Sequence, residues 1–310
     1  MIGVDLFSGC GGMSLGFQRA TIKVVKAYEF WDEAIKCYGE NFKHPIEKAD
    51  LSNYELYLDD ISNSNPDVIF GGPPCQDFSH AGNRREGNRA DLTKSFAEIV
   101  SSVRPQWYVM ENVDRSRNSL AYKGAREILK NSGYGITEIV LDASLCGAPQ
   151  KRKRFFSIGL LDAFDGFLLH DLKKNLSNDP MTVRRFFNGS FDVEYYYRHP
   201  RNYNRRAIFS IDEPSPTIRG VNRPVPAGYP GHPNDPIEIV GVRELSTFER
   251  ALIQTFPDNF IFPSSSKTTN EQLIGNAVPV KLAEYVAKAV MKYNLANVCP
   301  KEEDQLIQSL

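Results

Sequence analysis

Short apolar runs recur through the first half of the chain, each closed by glycine, proline or an acid and each followed by helically spaced residues. The runs predict strands over Ile2–Phe7, Val24–Tyr28, Ile46–Ala49, Asp67–Phe70, Trp107–Met110, Gly135–Ala143 and Phe155–Leu160. Between them the spacing predicts helices over Met13–Ala20, Asp32–Tyr38, Glu55–Ile61, Thr93–Val103 and Ala121–Asn131. Strand and helix in alternation imply an α/β domain on a mostly parallel, Rossmann-like sheet.

The pattern breaks at Asp162. From there to Gly241 prolines accumulate and the alternation is gone, which marks a small, loop-rich second lobe. Within it, Met181–Pro224 holds eight arginines, four acids and no lysine, interleaved with tyrosines. Arginine's planar fork suits guanine edges and phosphates, so this stretch is a candidate nucleic-acid surface. Periodicity then returns: Leu245, Phe248, Leu252 and Phe256 give a helix over Arg243–Phe256, and Gly275-Asn276-Ala277-Val278-Pro279 opens a last helix reaching Tyr293. The expected organisation is a catalytic and cofactor-binding domain (1–161), the lobe (162–241), a return to the first domain (242–297) and a polar tail (298–310).

Charge and cysteine usage narrow the options. At 310 residues and net charge −1, bulk charge announces no polyanion partner, so any nucleic-acid surface is local. Five scattered cysteines without a CxxC pair point away from a zinc site or a disulfide framework. No apolar run reaches membrane-spanning length and the chain begins on a strand, which points to a cytosolic, reducing setting.

The chemistry gathers around Gly71–Ser79, GGPPCQDFS. It places Cys75 on a stiff loop at a strand's carboxyl end, where ligands collect in open parallel sheets. An unperturbed thiol is only a few per cent thiolate at neutral pH, so Cys75 needs a substrate or neighbour that helps. Ser8-Gly9-Cys10-Gly11-Gly12 follows the first strand, but Ser14 stands where the dinucleotide pattern needs its third glycine. A smaller anion, such as an amino-acid carboxylate, fits this loop better than a pyrophosphate. Glu29, twenty residues beyond Gly9, reads either as a solvated strand end or, at that distance from the loop, as an acid that holds a ribose diol, and Phe30 or Trp31 beside it as a purine cover or as ordinary core packing. Asp50 with Leu51 reads either as an adenine contact or as a helix cap. Glu111 closes a strand beside the pocket as a candidate acid. Residues 80–91 read as a polar loop, either lid or plain surface. In Gln150-Lys151-Arg152-Lys153-Arg154 an extended backbone puts Gln150, Arg152 and Arg154 on one face and both lysines on the other.

Six blocks in order, DLFSGCGGMSLGF (5–17), GGPPCQDFS (71–79), ENV (111–113), QKRKR (150–154), RELSTFERALIQTFPDNF (243–260) and GNAVP (275–279), resemble the motifs of the S-adenosylmethionine-dependent DNA cytosine-5 methyltransferases. The resemblance implies a parallel α/β catalytic domain with a target-recognition lobe. It implies that S-adenosyl-L-methionine is held by Phe7, Ser8, Gly9, Gly11 and Gly12, by Glu29 and Phe30, by Asp50 and Leu51, and by Pro73, Leu92, Asn276 and Val278. Cys75 becomes the nucleophile on carbon 6 of a flipped-out cytosine and Glu111 the group at ring nitrogen 3. Gln150, Arg152 and Arg154 complete the catalytic set, the two arginines anchoring the base and its backbone. Double-stranded DNA would meet Gln76, Ser79, Arg198, Arg201, Arg205, Arg206, Thr217, Arg219 and Arg223. The resemblance further implies a bacterial modification enzyme acting as a monomer, with a restriction endonuclease cutting the same site. Two other readings are a transfer-RNA methyltransferase and a non-catalytic binding module. The lobe's lack of cysteine argues against the first, and intact Cys75 and Glu111 against the second. Asp77-Phe78 departs from the family's usual pair after the motif's glutamine.

Overall fold

In the computed structural model, which describes residues 1–74, 92–202 and 204–297, the apolar runs become strands. They are β1 (Ile2–Leu6), β2 (Lys23–Glu29), β3 (Ile46–Lys48), β4 (Val68–Gly71), β5 (Trp107–Val113), β6 (Tyr134–Asp142), β7 (Gln150–Lys151) and β8 (Lys153–Leu161). Seven of them form one sheet in the order β3-β2-β1-β4-β5-β8-β6. The pairs from β3 through β5 are parallel, so their carboxyl ends share one edge. β8 runs antiparallel between β5 and β6 and therefore enters at that same edge, with Arg154 opposite Val113 and Leu160 opposite Trp107. Because β8 supplies partners, β5 continues through Glu111-Asn112-Val113 instead of stopping at Met110.

The helices are α1 (Gly12–Arg19), α2 (Asp32–Asn41), α3 (Leu58–Asn63), α4 (Leu92–Val103), α5 (Leu120–Asn131), α6 (Leu169–Lys174), α7 (Val183–Phe187), α8 (Thr247–Ile253), α9 (Lys267–Asn276) and α10 (Val280–Asn297). Alternation along the strands divides them between the faces. Val68 and Phe70 face Met13 and Phe17 of α1 and Leu282 and Val286 of α10. Ile69 lies in the cluster on the other face with Ile61 of α3, Phe96 of α4 and Leu129 of α5. No helix among the described residues is long and apolar enough to cross a membrane.

A third cluster lies off the sheet. It joins Val183, Tyr196, Phe209 and Ile218 of the lobe to Ile253 of α8, Leu273 of α9 and Cys37 of α2. Thus α8 and α9 share their core with the lobe, and contact with the sheet's own core resumes at Val278. The lobe is less irregular than its composition implied: β9 (Tyr195–Tyr197) pairs antiparallel with β10 (Ile208–Ser210), and β11 (Ser215–Pro216) pairs parallel with β7. The helix expected over Arg243–Phe256 is shorter. Ser246 accepts from Glu249 N while the Glu249 side chain accepts from Ser246 N, a capping box that fixes the start of α8 and leaves Phe248 53 % exposed. α9 was not foreseen; KTTNEQLIGN has no clear apolar stripe. Asp50 does cap, but it caps a 3-10 turn over Leu51–Tyr57 through Ser52 N.

The helix pair α1 and α10 closes the first and last parts of the chain against each other. A Cβ at Gly16 would lie 2.5 Å from the Ala283 Cβ and 2.8 Å from the Val280 carbonyl oxygen. Gly16→Ala should therefore lower folding stability by about 1–3 kcal/mol, the usual cost of overpacking, read from urea midpoints. An unshifted midpoint would show that the two helices part freely.

Candidate active site

The cofactor-type motifs converge at the shared carboxyl edge. Phe7 leaves β1 with φ +58°, and Gly11 has φ +95° with the Phe42 ring only 2.3 Å from where a Cβ would sit. Glycine is required there. Glu29, at the end of β2, accepts from Gly9 N at 2.8 Å with Oε2 and from the backbone N–H groups of Phe30 and Trp31 at 2.9 Å with Oε1. Three of about four acceptor positions are filled, so the carboxylate is fixed in place and keeps capacity for one more donor. Its carbonyl accepts from Ala49 N at 2.9 Å, which brings Asp50 and buried Leu51 alongside. The Phe30 ring is 63 % exposed beside this acid. Ser8 Oγ is buried and meets no hydrogen-bond partner among the described residues. Pro73 is buried beyond β4, Leu92 opens α4 half-buried, Asn276 is exposed at the end of α9, and the Val278 carbonyl packs on Gly12. An acid with a free lone pair, an open aromatic face and an unmet hydroxyl on a glycine loop fit a ribose, a purine and a polar amino-acid end respectively.

A buried polar chain supports the loop from beneath. Ser14 Oγ donates to Asp5 Oδ2 at 2.6 Å and lies 2.6 Å from the Tyr38 hydroxyl, which is 2.6 Å from His44 Nε2. Burial pushes the Asp5 carboxyl well above its ordinary range, against the pull of Ser14. Tyr38 also stacks on Phe42 at 4.2 Å, and together the two rings floor Gly11.

Glu111 is 7 % exposed, and its Oε1 lies 2.8 Å from Arg154 Nε. Burial raises its pKa, opposed by the charges of Arg154 and Arg152. The carboxylate also faces the cysteine loop, since a Cβ on Gly72 would lie 3.0 Å from Oε2. Asn112 fastens that loop by donating to the Pro73 carbonyl at 3.0 Å while accepting from Val113 N at 2.8 Å. Cys75, Gln76 and Ser79, together with the 80–91 loop, lie outside the described residues.

Gln150 and Arg152 are buried while Lys151 and Lys153 are exposed, the alternation expected of an extended segment. Their partners lie away from Glu111. Arg152 donates to the carbonyls of Ile218 at 2.9 Å, Gly275 at 2.9 Å and Ala277 at 3.0 Å. Gln150 donates to Gln254 Oε1 at 2.7 Å and accepts from Ile218 N at 2.8 Å. Arg154 pairs with Glu111; the other two tie the lobe to β7 and the start of β8.

A family model described as C-5 cytosine-specific DNA methylase matches residues 1–292. The chain belongs to the C-5 cytosine-specific DNA methylases. Two relatives span nearly the same length. It is 54 % identical over 293 residues to the Type II methyltransferase M.HindV of Haemophilus influenzae, covering 94 % of this chain and 96 % of that one. It is 51 % identical over 291 residues to M.HgiDI of Herpetosiphon aurantiacus, covering 94 % of each. The crystal structure of a candidate DNA modification methyltransferase from an E. coli prophage is 25 % identical, with a TM-score of 0.69 over 96 % of this chain and 99 % of that one.

In this methylase the lobe arginines gather. Arg198, Arg201, Arg205, Arg206 and Arg219, with Thr217, line a cavity of about 450 Å³. Arg223 lies outside its lining, though its charge reaches Arg219. Asn112, Gln254 and Tyr38 are site-building residues that sequence reasoning passed over. Asn112 sits inside the ENV motif and was legible; Gln254 and Tyr38 act through partners distant in sequence.

The Glu111 environment has a direct readout. A carbon-13 titration should place its carboxyl above the ordinary carboxylate range, and Arg154→Ala, by removing a cation that favours the charged form, should move the midpoint further up. A midpoint that stays put in the variant would show that Arg154 does not act on this acid.

Proposed function

We propose that this methylase transfers a methyl group from S-adenosyl-L-methionine to carbon 5 of a flipped-out cytosine in a short sequence of double-stranded DNA, as the modification part of a restriction-modification system. The observation that carries this reading is the buried Glu111 held by Arg154 beside the loop that Asn112 fastens at Pro73. The relatives named Type II methyltransferases support the biological setting. They also favour duplex DNA over transfer RNA, as does a lobe without cysteine.

In this reading the thiolate of Cys75 bonds to cytosine carbon 6. Glu111, its pKa raised by burial, places a proton at ring nitrogen 3 and draws the added electron pair toward carbon 5. Arg154 holds the carboxyl and presents positive charge to the base. Bound S-adenosylmethionine supplies an electrophilic methyl group. Glu29, Phe30 and the Ser8–Gly12 loop hold its ribose, purine and amino-acid end, with Asp50, Leu51, Leu92, Asn276 and Val278 as further walls. Loss of the carbon-5 proton, with departure of the thiolate from carbon 6, restores the aromatic ring and frees Cys75. Flipping the base costs a few kcal/mol, which the lobe's contacts to the opened duplex offset. The lobe, from about Asp162 to Gly241, selects the site.

The decisive experiment presents a duplex library containing 5-fluorocytosine together with S-adenosylmethionine. A fluorine at carbon 5 cannot leave as a proton, so the adduct is trapped. Mass mapping should find it on Cys75 and sequencing should find one short motif, with Cys75→Ala trapping nothing. Glu111→Gln should slow single-turnover methylation roughly 10²–10⁴-fold. Adducts on another residue would overturn the nucleophile, and adducts confined to a transfer-RNA pool would overturn the substrate.

A further inference from the structure

The eight arginines of Met181–Pro224 have different fates. Arg184 is taken by Asp212 and Glu194. Arg206 pairs with Glu213 and lies 4.4 Å over the Phe209 ring. Arg198 and Arg219 donate to the carbonyls of Thr217 and His199. Arg185 and Arg223 are exposed outside the lining of the cavity, and Arg201 and Arg205 stand apart from all of these. Both are exposed at the cavity of about 450 Å³, and among the described residues no hydrogen bond or ion pair involves either.

The wall behind them is rigid. Thr217 Oγ1 donates to the Lys151 carbonyl at 2.9 Å, Arg152 holds the Ile218 carbonyl, and Arg250, itself paired with Glu271, donates to the Arg219 carbonyl. Among the described residues no carboxylate lines the cavity. Arg198 is held down to about 10 by burial and by the charges of Arg219, Arg250 and Arg201. Cations crowded in the lining, of which Arg206 alone is paired with a carboxylate among the described residues, call for acceptors brought by a ligand. A phosphate accepts either lysine's point charge or arginine's fork. A guanine edge asks for a planar fork directed at O6 and N7. The stretch contains no lysine, although Lys151 and Lys153 are exposed nearby in the chain.

We propose that Arg201 and Arg205 are the specificity-determining residues of the lobe, each reading a guanine of the target site through a free guanidinium, while Arg198 and Arg219 build the wall behind them. The assignment rests on the proposed DNA substrate. It separates readers from frame by which guanidiniums are already engaged.

The test is methylation kinetics of the wild type, Arg201→Ala, Arg205→Ala and Arg201→Lys on duplexes carrying every single-base change of the target, then on the target with 7-deazaguanine at each guanine in turn. Each alanine variant should lose preference at one guanine position by roughly 5- to 140-fold. Arg201→Lys keeps the charge and should lose that preference as well. At the same position 7-deazaguanine, which lacks only the N7 acceptor, should slow the wild type and add nothing in the variant. Equal losses on every duplex, with activity restored by lysine, would make these residues phosphate contacts and overturn the proposal alone. A wild type inactive on every duplex would overturn it together with the function on which it rests.

Discussion

A guanidinium sealed from water is costly unless acceptors are brought to it, and Arg152 is given three, the backbone carbonyls of Ile218, Gly275 and Ala277, while its Nε meets none among the described residues. The molecule's assembly depends on this. One carbonyl comes from the lobe, one from the last turn of α9 and one from the link between α9 and α10, so a residue between β7 and β8 gathers regions 66 to 125 positions away. Gln150 and Gln254 complete the hub: Gln150 takes the Ile218 N–H, and Gln254 donates to the Ile274 and Ala277 carbonyls. Two residues after Arg152, Arg154 holds Glu111. The lobe's seat and the acid's position are therefore fixed by the pairing of one short stretch of chain.

Electrostatics runs in opposite senses at the two working surfaces. At Glu111 two cations oppose desolvation, and the carboxyl still sits above its usual range. In the lobe, burial and mutual repulsion hold Arg198 and Arg219 below theirs. Both surfaces carry charge that the chain's net value of −1 conceals. In the proposed function, a substrate that brings acceptors to one and a basic ring nitrogen to the other would complete each of them.

Much of the sheet was legible because its strands are buried runs and its turns are glycine, proline and acid. Glu29 could be placed from its distance to the glycine loop, and its grip on Gly9 shows why that distance matters. The length of β5 was not legible, since Glu111 to Val113 are strand only through β8, whose Arg154 lies 41 positions beyond Val113. The alternation of Gln150, Arg152 and Arg154 was visible, but their partners were not. An arginine that meets carbonyls and an arginine that meets a carboxylate look alike in a sequence. The strands of the lobe are two or three residues long and carry no usable period. α9 is held by Leu273 and Ile274 in a core shared with the lobe, a relation that its own residues do not announce.

The packing of α10 on α1 also orders events during synthesis. α1 leaves the ribosome well before α10, with Met13 and Phe17 apolar and Gly16 shaped for a partner far downstream in the chain. Until residues 280–297 emerge, that face of the sheet has nothing from α10 to cover it, and chains of this size are prone to association while such surface is bare. A chain interrupted before Val278 lacks the carbonyl that packs on Gly12 as well as the cover over Phe17. The face of the sheet behind the glycine loop is thus covered only once residues 278–297 have been made.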